Sequence, residues 1–439
     1  MTPSQQPALK LLLATAATAL AVTVVLLPQT ADAAAPIASV VGRVPAAAPA
    51  EETATATVIT SDLVDATIGR YGTQTSAKLK VVATGEKLTY KWQRLAPSGK
   101  KWKTISGAKK AKYTAKATKW ASGTSFRVIV SGSGGKVTSA VAKLTVLQPT
   151  KTPAKDAAAA FGLTGLTQGV DLSAYQWSPW AKVNVPAVAK WAGKDGFAIL
   201  RNGSGSRPIK QKYTEVCTNR TKKTGTDPVT EDCAYAKLAP KVKASGLSLG
   251  HYWFNGWIAS TDSTTQQLFA GGYSATASAA QFVAWLKADG KYTLDSTDPL
   301  VLDIEAGNPW TKSKDGQKIT QKLRAWTPVE ATEFLTTVKQ LLTQDGYQAN
   351  LYVYMSANRA ADDLDGVFVW QDVASIARLW VASWGTNNAR IPDAEPLVGP
   401  WVNYGGWSIW QYTSNARIAN DGVSTLDADI AKPDAWTPR

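Results

Sequence analysis

Pro299-Leu300-Val301-Leu302-Asp303-Ile304-Glu305 is an apolar run that ends in two carboxylates. Its lack of alternation over the first four residues predicts a strand covered on both faces, as in a parallel sheet packed between helices. Comparable runs recur on either side: Gly169-Val170-Asp171, Phe197-Ala198-Ile199-Leu200-Arg201, Leu249-Gly250-His251-Tyr252-Trp253, Leu351-Tyr352-Val353-Tyr354, Leu379-Trp380-Val381-Ala382-Ser383-Trp384 and Trp407-Ser408-Ile409-Trp410-Gln411. Helical patterns separate several of them. In Pro328 to Gln344, Pro sits in the first turn, and Phe334, Val338, Leu341 and Leu342 share a face. Seven or eight such strands in about 275 residues predict an α/β fold, a TIM-like (β/α) barrel over residues 166–439, with chemistry at the C-terminal strand ends.

Asp303 and Glu305 stand two apart, so alternation places both side chains on one face with Cα atoms roughly 6 to 7 Å apart. Two carboxylates that close, walled by apolar groups, cannot both ionise easily, and one is expected to keep its proton near neutral pH. That condition suits a general acid beside a charge stabiliser, the pair that glycoside cleavage requires. Asp171 ends the first strand and Asp427 ends a late one. A single strand-end Asp is usually a cap; four carboxylates at strand ends, among abundant Trp, point to a site. Of 18 Trp, 15 lie after residue 160, more than core filling asks of a side chain that must also place an indole N–H.

Other chemistries are poorly supplied. His251 is the single histidine, so any Ser-His-Asp or Cys-His triad would have to use it, and zinc-type ligand sets are missing. No metal and no cofactor are expected. Cys217 and Cys233, the only cysteines, are expected to form one disulfide closing a polar surface loop.

The net charge of +15 is local: residues 61–150 hold 17 basic and 3 acidic groups, whereas residues 161–439 hold 27 and 26. Leu11 to Leu27 is an apolar run behind Lys10 and ahead of Ala31-Asp32-Ala33, which reads as a signal peptide over residues 1–33 and implies a secreted, extracellular, wall-associated protein. Residues 34–60 and 149–165 read as linkers. Residues 61–148 contain short alternating segments, including Leu88-Thr89-Tyr90-Lys91-Trp92-Gln93-Arg94 and Ser125-Phe126-Arg127-Val128-Ile129-Val130, and predict a small all-β sandwich resembling bacterial immunoglobulin-like repeats with Trp92 in its core. Lys100, Lys101, Lys103, Lys109, Lys110, Lys112, Lys116 and Lys119 cluster there, either as a solvated face or as an attraction to an anionic wall polymer. Trp102 and Trp120 among them are placed to stack on sugars or bases, but no nucleic-acid motif accompanies them, and no nucleic acid is expected as a partner. No stable membrane partner is expected either, and the chain is expected to be a monomer.

Gly169-Val170-Asp171-Leu172-Ser173-Ala174-Tyr175-Gln176, Gly250-His251-Tyr252-Trp253-Phe254, Leu302-Asp303-Ile304-Glu305, Leu379-Trp380-Val381-Ala382-Ser383-Trp384 and Trp410-Gln411-Tyr412 resemble, in order, signature segments of glycoside hydrolase family 25, lysozymes of the Chalaropsis type. The resemblance runs from about residue 166 to residue 435. It implies an irregular (β/α) barrel that hydrolyses the β-1,4 bond between N-acetylmuramic acid and N-acetylglucosamine in peptidoglycan. It implies Glu305 as the general acid, Asp303 as stabiliser or orienter, Asp171 within the carboxylate cluster, and Asp427 completing the acidic groove, with Asp429 as its competitor. Tyr252, Tyr354, Trp384, Trp410 and Gln411 would line the groove. The Cys217 to Cys233 segment looks like an insertion beyond the minimal pattern. Carboxylates this close leave little room for the water of an inverting reaction, and a 2-acetamido sugar can supply its own nucleophile. Chitinase-like barrels expect a further Asp where Val301 stands, and a non-catalytic wall-binding protein has no need of intact Asp303 and Glu305. On this reading residues 61–150 tether the chain to the wall in a salt-sensitive way while residues 166–439 cleave without them.

Overall fold

Pro299–Asp303 is a strand whose five residues are all buried, as its unbroken apolar run predicts. It is the fourth strand of a closed ring of eight: β1 (Thr167–Leu172), β2 (Phe197–Gly205), β3 (Ser248–Phe254), β4 (Pro299–Asp303), β5 (Asn350–Ser356), β6 (Arg378–Ala382), β7 (Trp407–Ala416) and β8 (Leu426–Ala431). Neighbours pair in parallel from β1 to β7. The last strand departs from a regular repeat, because β8 runs antiparallel to both β7 and β1. Only residues 417–425 join β7 to β8, too few for the crossover helix that a parallel strand would need. The computed structural model describes residues 54–177, 182–205, 229–231, 234–255, 274–288, 290, 292–306, 310–314, 317–321 and 325–439; the expected signal peptide, residues 34–53 of the first linker, and Cys217 and Cys233 with their expected disulfide lie outside these.

Alternation along each strand splits the core into two layers. Phe197, Ile199, Tyr252, Val301, Tyr352, Trp380, Ile409 and Ala431 fill the barrel. Leu200, Trp253, Leu300, Leu302, Val353 and Trp410 face outward into the layer that the helices cover. Each large apolar side chain buried this way contributes about 1.5–3 kcal/mol. The floor is closed by the chain after β8: Asn350 Nδ2 and the Tyr352 hydroxyl donate to the Ala435 carbonyl at 2.9 and 2.8 Å, and the Trp436 ring lies 4.9 Å from that of Phe197.

Residues 149–165, expected to be a linker, carry the helix Pro153–Phe161. Its Ala-rich sequence favours a helix, and its small side chains let Ala154 and Ala157 bury against the barrel. Phe161 reaches the outward face of β7, 5.9 Å from the Trp410 ring.

The N-terminal region is β-rich. Ala66–Gly69, Ala142–Leu147, Ser125–Gly132, Thr89–Leu95 and Lys103–Thr104 form one sheet, with Gly135–Thr138 paired to Ser125–Gly132. Ser76–Lys80 pairs with Lys112–Lys116, and Val58–Ser61, which takes in the last residues assigned to the first linker, pairs with Val82–Thr84. Trp92 is fully buried at the centre and donates its indole N–H to the Lys110 carbonyl at 2.8 Å. Trp102 and Trp120, expected to be placed for stacking, are half-buried and each already carries a cation. The Arg127 guanidinium lies 4.2 Å from the Trp102 ring, and that of Arg94 lies 4.8 Å from the Trp120 ring.

Ring closure depends on Gly169. It sits opposite Phe197 on β2 and Asp429 on β8, and a Cβ there would lie 2.4 Å from the Phe197 carbonyl oxygen and 2.5 Å from its ring. Gly169→Ala is therefore expected to pry β1 from β2 and to cost about 1–3 kcal/mol. Equilibrium urea unfolding checks this as a lowered midpoint.

Candidate active site

β4 delivers Asp303 to the barrel mouth with 5% of its surface exposed. The ladder continues past the strand: Asn255 N donates to the Asp303 carbonyl at 2.9 Å, Ile304 N to the Tyr354 carbonyl at 2.9 Å, and Glu305 N to Asn255 Oδ1 at 2.7 Å. These bonds keep the alternation running, so Ile304 turns into the outer core and Glu305 opens to solvent at the mouth. Burial pushes the Asp303 carboxyl well up, Glu305 pushes it further, and Arg201 opposes both. Glu305 is accessible yet closely surrounded by protein, and this crowding raises its carboxyl against the pull of Arg201 and Arg359. Asp303 Oδ1 is buried with no hydrogen-bond partner among the described residues.

Three more carboxyls come from the seam between β1 and β8. Asp171 stands opposite Asp427, and Asp429 stands opposite Gly169. Asp171 is raised by burial first, then by Asp427 and Asp429, while a hydrogen bond from Gln411 opposes the shift. Asp429 is fully buried, accepts the Trp380 indole N–H at 2.8 Å and is likewise held well up, chiefly by burial. Asp427, only half-buried, is pushed up to about 7 by burial and by Glu305.

Gln411 ties this seam to the aromatic wall. Its Nε2 donates to Asp171 Oδ2 at 2.7 Å, and its Oε1 accepts the Tyr354 hydroxyl at 2.9 Å and the Trp384 indole N–H at 2.8 Å. Both ends of the amide are engaged, which fixes its orientation. Tyr354 is kept protonated by burial and by four surrounding carboxyls, so it serves as a donor. Its ring lies 4.6 Å from that of Trp380, and Tyr252 meets Trp380 edge-on at 6.1 Å.

Asp171, Asp303, Glu305, Asp427, Tyr252, Tyr354, Trp384 and Gln411 thus gather at one mouth. Trp410 does not. It neighbours inward Ile409 and Gln411 on β7, so alternation turns it outward, where it is fully buried against Phe161 and Trp407 and donates its N–H to the Ser383 carbonyl at 2.9 Å. Trp410 is a wall of the outer core and does not line the groove. His251 also faces outward, between the Tyr235 hydroxyl at 2.7 Å and Asp298 at 3.1 Å. Sequence reasoning missed Arg201, Asn255, Arg359 and Trp380. Two of these were signalled by period-2 alternation, Arg201 from Ile199 and Trp380 from Ala382; Asn255 and Arg359 had no local signal.

Comparison with known proteins bears on this constellation. Residues 220–421 match the family described as glycosyl hydrolases family 25. The chain carries a family 25 glycosyl hydrolase domain. The matched stretch holds Asp303, Glu305 and Gln411; Asp171 and Asp427 lie outside it and are brought to the same mouth by ring closure. Residues 64–148 match a domain of unknown function (DUF8696). Solved structures similar to the chain include a glycosyl hydrolase 25 of Streptococcus pneumoniae (16% identity, 64% of this chain and 92% of that one, TM-score 0.36) and a family GH25 lysozyme from Aspergillus fumigatus (17%, 61% and 94%, TM-score 0.35). Endoglucanase C of Cellulomonas fimi is 31% identical over 181 residues, which are 36% of this chain and 16% of that protein. The chain thus spans about a sixth of that relative's length.

The raised carboxyls of the barrel mouth have a linkage consequence. A carboxyl whose folded pKa is raised binds its proton more tightly when folded, so its contribution to stability is complete below the unfolded value near 3.9 and is lost as pH rises through the folded value. For Asp427 that window runs from about 4 to about 7. Stability is expected to fall across it, and Asp427→Asn to flatten the fall. Thermal unfolding midpoints of both proteins between pH 4 and 7 check this.

Proposed function

We propose that the chain hydrolyses the β-1,4 bond between N-acetylmuramic acid and N-acetylglucosamine in peptidoglycan. The observation that carries this reading is the Asp303–Glu305 pair at the end of β4, one carboxyl buried and one at the surface of the same acidic mouth, within a family 25 domain. Glu305 is the group a substrate can reach. Its raised affinity for a proton suits it to protonate the leaving glycosidic oxygen. Asp303 lies deeper. Its Oδ1, without a partner among the described residues, is matched by the N–H of a 2-acetamido group, which it would orient so that the acetamido oxygen attacks the anomeric carbon. Asp171, Asp427 and Asp429 make the mouth acidic beside the developing positive charge, and Tyr252, Tyr354 and Trp384 offer aromatic faces to sugar rings. Trapping a covalent sugar on Asp303 would remove the substrate-assisted step.

The reading extends to a secreted, wall-associated protein with an immunoglobulin-like N-terminal module. All eight lysines between Lys100 and Lys119 are exposed, in keeping with a face that meets an anionic wall polymer.

Glu305→Gln is expected to lower the release of new reducing ends from muramic-acid-containing walls by about 10²–10⁴-fold. Equal release by both proteins would remove the assignment, and identification of the sugar at the new reducing end separates muramidase from glucosaminidase. Replacing Lys100, Lys101 and Lys103 by Gln is expected to weaken wall binding at low salt. Near 1 M salt, where screening acts within about 3 Å, binding by the two proteins should converge in a pelleting assay.

A further inference from the structure

Residues 54–439 form one compact unit, and the basic module reaches the barrel at a particular place. Tyr71, Gly72 and Thr73 form the tip of a turn whose base is fixed inside the module, where Gly69 N donates to the Gln74 carbonyl at 2.9 Å and Arg70 N to that of Leu147 at 2.8 Å. The tip meets residues 386–388, just after Trp384. Thr73 gives both its backbone N–H and its hydroxyl to the Thr386 carbonyl, at 3.0 and 3.1 Å. Gly72, at φ +91°, approaches so closely that a Cβ would lie 2.4 Å from the carbonyl oxygens of both Thr386 and Asn387. The Arg417 guanidinium, carried on the loop after β7, covers the Tyr71 ring at 4.3 Å. A second strap runs beside the first: Thr150 N donates to the Ala389 carbonyl at 2.8 Å, and Arg390 Nη1 to that of Gln148 at 3.2 Å.

The loop so gripped is strained. Asn387 and Ala389 have φ of +49° and +61°, in the left-handed region that non-glycine residues rarely adopt. Asn387 N closes a turn onto the Trp384 carbonyl at 2.7 Å, and its side chain is hooked to Thr413 and Ser414 of β7. Trp384 stands at the start of this turn with 38% of its surface open, held by its bond to Gln411, which in turn holds Asp171.

We propose that the N-terminal module is a positioning element of the groove: the tip Tyr71–Thr73 holds the 384–390 loop in its strained form and so sets the Trp384 face against which a sugar ring stacks. This rests on the groove reading above and changes the expected division of labour, because the barrel then needs the module to bind glycan well. Gly72 and Thr73 act through the loop and do not touch substrate.

The test uses the full chain with Gly72→Val and, separately, the double variant Thr73→Ala with Arg417→Gln, which leaves the turn's glycine intact. Amide hydrogen exchange is followed over residues 384–390, together with the dissociation constant for a soluble N-acetylglucosamine–N-acetylmuramic acid tetrasaccharide and kcat on it. At least one variant is expected to retain the wild-type unfolding midpoint, to exchange about tenfold faster in that loop, and to bind the tetrasaccharide several-fold more weakly with kcat within about twofold. Unchanged loop exchange in both variants, or faster exchange with unchanged affinity, would overturn the proposal. Exchange and affinity are read without turnover, so a wild type that binds the tetrasaccharide but fails to cleave it would remove the hydrolase reading alone.

Discussion

Carboxyl groups packed side by side in a poorly solvated space cannot all be charged, and the barrel mouth brings five of them together. Asp171, Asp303, Glu305, Asp427 and Asp429 each hold a proton more tightly than they would in water, and burial is the leading cause in every case. The surrounding architecture can be understood as what makes this tolerable. Arg201 and Arg359 offset part of the repulsion, and Gln411 and Trp380 donate to the two deepest carboxyls of the seam. An acid that holds its proton above the usual carboxylate range is thus a by-product of crowding.

The ring was readable because each strand carries a distinctive apolar run, and the pair at 303 and 305 was readable because strand alternation extends two residues past β4. The same rule places Trp410 on the outer side, since Ile409 and Gln411 must share the inner face. Motif resemblance alone puts Trp410 in the groove, whereas the orientation of its neighbours puts it in the outer core. Asn255 was illegible for a different reason: its role is a single bond to the backbone of a residue 50 positions away. The helix Pro153–Phe161 was masked by composition. Its alanines look like linker residues until a partner surface is available, and their small size is what allows the close fit.

Linker and module assignments made from composition treat each segment as independent. Here the turn at Tyr71–Thr73 and the helix at Pro153–Phe161 both make specific contacts with the barrel, one with the 386–388 loop and one with the outward face of β7. A basic module can therefore be part of the same packed unit as the near-neutral barrel, while its lysines remain available to solvent.

The sealed floor has a consequence for proton traffic. Tyr352, Ala435 and Trp436 close the barrel at the end opposite the acidic cluster with apolar rings and satisfied carbonyls, so protons reach the carboxyls from the mouth side. A glycan chain lying across the mouth occupies that same route.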